Sequence, residues 1–172
     1  MLRDPSLAYI GLGANLGDRA QTLQLALVAL AAMPQSRFLA VSSAYSSAPI
    51  DSGGPDYLNA VACLTTSLAP EALLDRLLTI ELEHGRLRPY FNAPRTLDLD
   101  LLRYGDEQVS SPRLTLPHPR LHHRAFVLQP LLELDPTLAA PGLGALTAFL
   151  PPLAGQHILR SALPLQAPRP AP

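Results

Sequence analysis

Pro94-Arg95-Thr96-Leu97-Asp98-Leu99-Asp100-Leu101-Leu102 alternates strictly between leucine and aspartate from Leu97 to Leu101. Successive side chains of an extended strand point to opposite faces. Leu97, Leu99 and Leu101 therefore share one face, suited to a core. Asp98 and Asp100 share the other, with Cα atoms roughly 7 Å apart by strand rise. Two carboxylates that close repel each other unless a cation stands between them. Mg²⁺ suits such a pair, because it binds through one or two carboxylates and leaves room for substrate phosphates. Arg95, just upstream, has the fork geometry of a phosphate clamp. The plain alternative is a half-buried strand with a polar outer face, where Asp is disfavoured but tolerated.

The 172-residue chain is long enough for one domain with a sizeable core. Hydrophobic residues make up 48% and charged residues 16%, which favours a globular chain over a disordered one. A net charge of -1 argues against generic nucleic-acid binding. All 13 basic residues are Arg. Without Lys there is no Walker-A loop, no Schiff base and no lysine general base. Residues 86–124 carry seven Arg against four acids, whereas the remainder carries six Arg against ten acids. A basic segment around a carboxylate pair suits a polyphosphate–metal ligand; its bland counterpart is a solvated charged face. The single cysteine, Cys63, excludes a disulfide framework and a C-x-x-C metal site. The opening residues lead into a strand-like segment and not a signal sequence, and no apolar run has the length of a membrane span. The expectation is a soluble, cytoplasmic protein.

Outward from the Asp pair, the chain reads as alternating strands and helices. Leu7–Leu12 is a strand. Gly11-Leu12-Gly13-Ala14-Asn15-Leu16-Gly17 misses the dinucleotide fingerprint by one residue, so these glycines are assigned to a tight strand-to-helix turn. Asp18 caps a helix with Ala20, Leu23, Leu27 and Leu30 at helical spacing, stopped at Met33-Pro34. Phe38–Tyr45 is a strand, and 46–55 a Ser/Gly/Pro-rich loop. Tyr57–Leu68 is a long strand with Asn59, Val61, Cys63 and Thr65 on one face. Pro70 opens a helix with Leu73, Leu77 and Ile80 as its stripe, ended by Gly85. Glu81 lies at the edge of that stripe, either as a solvated rim residue or as a partner for Arg or metal. After the Asp strand, 110–119 is extended and turn-rich. Leu121–Leu134 is a helix interrupted by Pro130, and a short helix is possible around 143–150. The order β-α-β-β-α-β predicts an α+β, ferredoxin-like antiparallel sheet with helices, followed by extra C-terminal elements. Residues 1–160 are expected to form one domain and residues 161–172 a disordered Pro-rich tail.

Six blocks occur in order: Tyr9-Ile10-Gly11-Leu12-Gly13-Ala14-Asn15-Leu16-Gly17, Tyr57-Leu58-Asn59-Ala60, Gly85-Arg86-x-Arg88, Pro94 to Asp100, Arg113-Leu114-Thr115-Leu116-Pro117-His118-Pro119, and Arg124-Ala125-Phe126-Val127-Leu128. Together they resemble 6-hydroxymethyl-7,8-dihydropterin pyrophosphokinase of folate biosynthesis, over about residues 7–136. The resemblance implies that ATP donates its β,γ-pyrophosphoryl group to the pterin hydroxymethyl oxygen, leaving AMP. Such transfer depends mainly on positioning and charge stabilisation.

By that resemblance Asp98 and Asp100 would hold two Mg²⁺ ions, and Arg86, Arg88, Arg95 and Arg124 would neutralise the triphosphate. Arg86 and Arg95 join the two Asp as catalytic candidates. Arg113, Thr115 and His118 would contact ATP, and Leu101 would line the adenine pocket. Ser47 and Ile50 match pterin-loop positions. Asn59 offers a donor and an acceptor for the pterin edge, and Tyr57 and Phe126 offer aromatic faces. Asn92 stands where the family places an aromatic, leaving Tyr90 or Phe91 to cover the pterin. The partners implied are small molecules, with no nucleic acid or membrane, and a monomer or weak homo-oligomer. Two other readings remain open: a metal-dependent nucleotidyltransferase, which would release pyrophosphate, and a non-catalytic ferredoxin-like binding module.

Overall fold

The structure, a computed structural model, describes residues 3–48, 56–84, 97–162 and 164–169. β1 (Ser6–Ala14) pairs antiparallel with β4 (Tyr57–Thr66) on one side and β5 (Asp98–Tyr104) on the other. The far edge of β4 carries two short strands end to end, β2 (Ser36–Val41) and β3 (Tyr45–Ser47). β10 (Ile158–Arg160) extends the sheet beyond β3. Helix α1 (Arg19–Ala31) follows β1, and α2 (Pro70–Glu83) joins β4 to β5. This is the expected ferredoxin-like βαββαβ unit, with its second strand broken in two. Two small ladders follow: β6 (Val109–Ser110) with β7 (Thr115–Leu116), and β8 (Ala139–Ala140) with β9 (Gly144–Ala145). Helix α3 (Ala125–Leu134) lies between them in sequence.

The two faces of the sheet have different cover. Ala8, Ile10, Leu12, Leu64, Leu97, Leu99 and Leu101 are buried with Leu23, Leu27 and Leu30 of α1 and Leu73, Leu77 and Ile80 of α2. The alternation read from Leu97 to Leu101 is therefore real: Leu97, Leu99 and Leu101 enter this core. On the opposite face Tyr9, Val61, Cys63 and Leu102 pack with Leu128 and Leu131 of α3 and with Leu121, Leu146 and Leu153. Apolar packing thus covers the Tyr9–Cys63 end of that face. Its other end carries Asp98, Asp100, Asn59 and two glycines.

The helix signals hold where a side chain has one job. Asp18 accepts a hydrogen bond from the Gln21 N–H at 3.1 Å and caps α1. Pro70 occupies the first position of α2, where its missing N–H costs nothing. Gly85 lies outside the described residues.

Other expectations are corrected. β1 runs on to Ala14, so Gly11 and Gly13 are strand residues and not part of a turn. Both pair with residues on each side, and only Gly17 of that run has a positive φ, 64°. The strand expected over Phe38–Tyr45 breaks at Ser42, whose N–H donates to the Val61 carbonyl while its Oγ accepts from the Val61 N–H, both at 2.9 Å. α3 starts at Ala125, after turns through 118–123, and continues through Pro130. Pro130 is buried there, its apolar ring offsetting the helical hydrogen bond its nitrogen cannot make. Residues 164–169 run irregularly beside α1. There Gln24 Nε2 donates to the Gln166 carbonyl and the Gln166 N–H to Gln24 Oε1, at 2.9 and 3.1 Å.

Candidate active site

Strand register assembles the site. Gly13 lies opposite Asp98 on β5 and opposite Asn59 on β4; Gly11 lies opposite Asp100 and Val61. One lane further, Tyr45 pairs with Asn59 and Ser47 with Tyr57. Directly paired residues point the same way. One face therefore carries, in order, the carboxylate pair, a glycine lane, Asn59 with Tyr57, and Tyr45 with Ser47. At normal strand spacing the Asp98 and Asn59 Cα atoms are roughly 10 Å apart across the glycines. A Cβ on Gly13 would come within 3.3 Å of Asn59 Oδ1 and 3.8 Å of Tyr57 Cδ1. The glycine lane is a floor without side chains, between an acidic wall and an amide–aromatic wall.

Asn59 is buried and its orientation is set. Nδ2 donates to Ser47 Oγ at 2.7 Å and to the Tyr45 carbonyl at 3.3 Å. With both amide hydrogens directed there, Oδ1 faces Gly13. Tyr45 is itself held by Glu133 of α3, which accepts from its hydroxyl. The same carboxylate accepts from the Ser43 N–H and hydroxyl at 2.8 and 3.2 Å. Burial together with Glu133 pushes the Tyr45 phenol up to about 12, so it stays a donor. The sequence reading did not single out Glu133 or Tyr45.

Asp98 and Asp100 are half-buried on the glycine side. Among the described residues, no group of three or more His, Cys, Asp and Glu gathers as a self-sufficient metal cage. A two-carboxylate site fits Mg²⁺ nonetheless, since that ion keeps several waters and takes phosphate oxygens from its substrate. His118 lies within electrostatic reach of Asp98. Burial first, then the charges of Arg124 and Arg120, push its imidazole below the usual 6.5, with Asp98 pulling the other way. Nδ1 accepts the Arg120 N–H at 3.1 Å, so a neutral ring carries its proton on Nε2. The His118 N–H donates to the Leu102 carbonyl, tying 118 to the end of β5.

The remaining candidates are spread around this frame. Arg124 is the N-cap residue of α3, and its guanidinium carbon stands 5.5 Å from the Phe126 ring centroid. Phe126 is half-buried. Arg113 pairs with Asp75 and lies 3.8 Å from Glu71, both on α2; Thr115 is exposed on β7. Leu101 is 3% exposed and belongs to the core between sheet and helices. Ile50, Arg86, Arg88, Arg95, Tyr90 and Phe91 lie outside the described residues. Glu81 is no rim residue: it is 1% exposed, and its Oε2 accepts the Leu99 N–H at 2.8 Å. Its spacing of four from Leu77 and eight from Leu73 already placed it on the buried stripe.

A family model described as 7,8-dihydro-6-hydroxymethylpterin-pyrophosphokinase (HPPK) matches residues 9–136. A 2-amino-4-hydroxy-6-hydroxymethyldihydropteridine pyrophosphokinase of Pseudomonas aeruginosa is 46% identical over 134 residues, 77% of this chain and 83% of that protein. One of the same description from Haemophilus influenzae is 40% identical over 154 residues, 89% of this chain and 96% of its own. Among solved structures, the Plasmodium falciparum HPPK-DHPS A437G protein superposes with a TM-score of 0.69 at 14% identity, over 87% of this chain. That likeness is one of fold, and the chain spans only 46% of the length of that structure.

Proposed function

Because the chain belongs to the 7,8-dihydro-6-hydroxymethylpterin-pyrophosphokinase family, it is an ATP-dependent diphosphotransferase of folate biosynthesis, and we propose that its reaction runs across the Gly11–Gly13 floor. Pyrophosphate passes from ATP to 6-hydroxymethyl-7,8-dihydropterin. A bond forms between the hydroxymethyl oxygen and the β-phosphorus, the bond from that phosphorus to the α,β-bridging oxygen breaks, and the hydroxyl proton is released. AMP leaves.

The observation that carries this placement is the register that sets Asp98 and Asn59 on either side of Gly13. Asp98 and Asp100 would hold two Mg²⁺ ions, whose bound charge would neutralise the phosphates and lower the pKa of the attacking hydroxyl. Asn59 Oδ1 accepts from the donor edge of the pterin, while Ser47 and Tyr45 keep the amide from rotating. Tyr57 and Phe126 flank the ring, and Ile50 is a further candidate pterin contact. Arg124, held over Phe126, and the neutral Nε2–H of His118 face the polyphosphate. Arg86, Arg88 and Arg95 supply further positive charge from the segment before β5, and Arg113 exchanges its α2 carboxylates for nucleotide. Thr115, exposed on β7, completes the nucleotide side, whereas Leu101 is turned into the core and is not part of it. The catalytic domain on this reading is residues 1–160, with 161–172 an appended tail.

Incubation with MgATP and the hydroxymethyl pterin, followed by separation of nucleotides, tests the reading. AMP in equal amount to pterin diphosphate is the expected result. ADP, or pyrophosphate with a pterin–AMP adduct, would overturn it.

A further inference from the structure

We propose that Glu81 is a positioning residue for the metal-binding strand, acting through the peptide between Asp98 and Leu99. The inference rests on the reading of Asp98 and Asp100 as the metal-holding pair. Among the described residues, β5 is the last strand on its side of the sheet, next to β1. N–H groups along a strand alternate in direction. The Leu99 N–H donates to Glu81, so it points away from β1, whereas the neighbouring Asp98 and Asp100 lie in the ladder opposite Gly13 and Gly11.

An outward N–H on an edge strand is ordinarily left to solvent. Here it meets a carboxylate oxygen at 2.8 Å, from a side chain 1% exposed on α2. Burying a carboxylate is costly, and a charge-assisted hydrogen bond is the kind of contact that offsets it. Its position in sequence gives the bond its effect. The Leu99 N–H belongs to the peptide unit that sets ψ of Asp98 and φ of Leu99. Fixing that plane fixes the direction of the Asp98 side chain relative to Asp100, two residues on. The same helix packs Leu77 and Ile80 with Leu97, Leu99 and Leu101, so α2 holds both the buried face and the outer edge of the strand. The β1 ladder sets the register; Glu81 sets the aim of the pair.

Two variants separate the reach of the side chain from its charge. Glu81→Gln keeps an acceptor at the same reach and removes the charge. Glu81→Asp keeps the charge and withdraws the acceptor by about one bond length, 1.5 Å. The readout is binding of Mn²⁺, measured by electron paramagnetic resonance, with a non-hydrolysable ATP analogue present. Binding of the analogue without metal, and thermal unfolding, are followed in parallel. Mn²⁺ affinity within threefold of the parent in Glu81→Gln, a tenfold or greater loss in Glu81→Asp, and unchanged metal-free analogue binding in both are expected. Any other ordering overturns the proposal, including equal loss in the two variants, retention in both, or a parallel loss of metal-free binding. Failure of the parent itself to bind Mn²⁺ with the analogue would instead overturn the metal reading of Asp98 and Asp100, and this proposal with it.

Discussion

Asn59 Oδ1 stands 3.3 Å from the point that a Cβ on Gly13 would occupy. Such a contact is tight, and Asn59 has little freedom to retreat, because its amide hydrogens are held by Ser47 and Tyr45. Gly13→Ala should therefore turn Oδ1 out of line with the pterin donors. The expected loss is about 1–3 kcal/mol of pterin binding, the cost of a mismatched buried hydrogen bond. Folding stability should fall slightly, since the tight contact with a held amide outweighs the lower ordering cost of alanine in an extended strand. Calorimetry with the pterin and a nucleotide analogue, beside thermal unfolding, checks both parts. Pterin affinity equal to that of the parent would remove Gly13 from the site floor.

The acidic wall allows a cleaner separation of fold from chemistry. Asp98→Asn and Asp100→Asn preserve shape while removing charge on the face opposite the buried leucines. Leu97, Leu99 and Leu101 keep their places in the core, so unfolding should shift by less than about 1 kcal/mol. Turnover should fall by at least about a hundredfold in each, given that phosphoryl-type transfer relies on charge stabilisation. Retained turnover in either variant would show that its carboxylate does not hold metal.

What the sequence disclosed was set by how many jobs a residue has. Leu97 to Leu101 alternate because one face is core and the other is site, so both fold and chemistry are legible there. Pro70 and Asp18 read directly for the same reason: each solves one local backbone problem. Gly11 and Gly13 were harder. A glycine in a strand and a glycine in a turn look alike until the partners on both sides are known, and those partners lie about 50 and 90 residues away. Glu81 misled because an acid on an apolar stripe is usually a rim residue; the backbone N–H that receives it carries no sequence signature. The break at Ser42 and the continuation of α3 through Pro130 are likewise decided by tertiary contacts that local propensity does not encode.

Glu133 links α3 to the strand that carries Tyr45, and its titration gives a pH test. Burial favours the protonated carboxyl, but donation from Tyr45 and Ser43 outweighs it, helped by the charge of Arg160. The net pKa lies below the ordinary 4.5. A folded-state pKa below the unfolded value means stability that is full above about pH 4.5 and lost as pH falls through the depressed value. Glu133→Gln should cost about 1 kcal/mol at neutral pH, kept small because Glu133 is exposed and water screens its charge. The parent and variant unfolding curves should converge as pH is lowered below the usual carboxylate range. Urea titrations from pH 7 to 3 read the gap, and a gap of constant size across that range would show that Glu133 gains nothing from its donors.

His118 provides the corresponding test on the nucleotide side. Burial, Arg124 and Arg120 hold its pKa below 6.5 in the free protein, and Asp98 only partly offsets them. The ring is therefore neutral at pH 7. In the free protein the sign is that of any depressed group: its contribution to stability is complete above 6.5 and is lost as pH falls through the lower folded value. A bound polyphosphate places negative charge beside the ring and neutralises the two arginines that oppose its protonation, so the pKa must rise on binding. Between the free and bound values, nucleotide binding then takes up a fraction of a proton, and affinity strengthens as pH falls through that window. Calorimetry of a non-hydrolysable ATP analogue with Mg²⁺ near pH 6, in two buffers of different ionisation enthalpy, measures the uptake. His118→Gln should abolish the buffer dependence near pH 6. At pH 8, further above the free value, the buffer dependence of the parent should shrink. An identical buffer dependence in variant and parent near pH 6 would assign the proton to another group and take His118 out of contact with the phosphates.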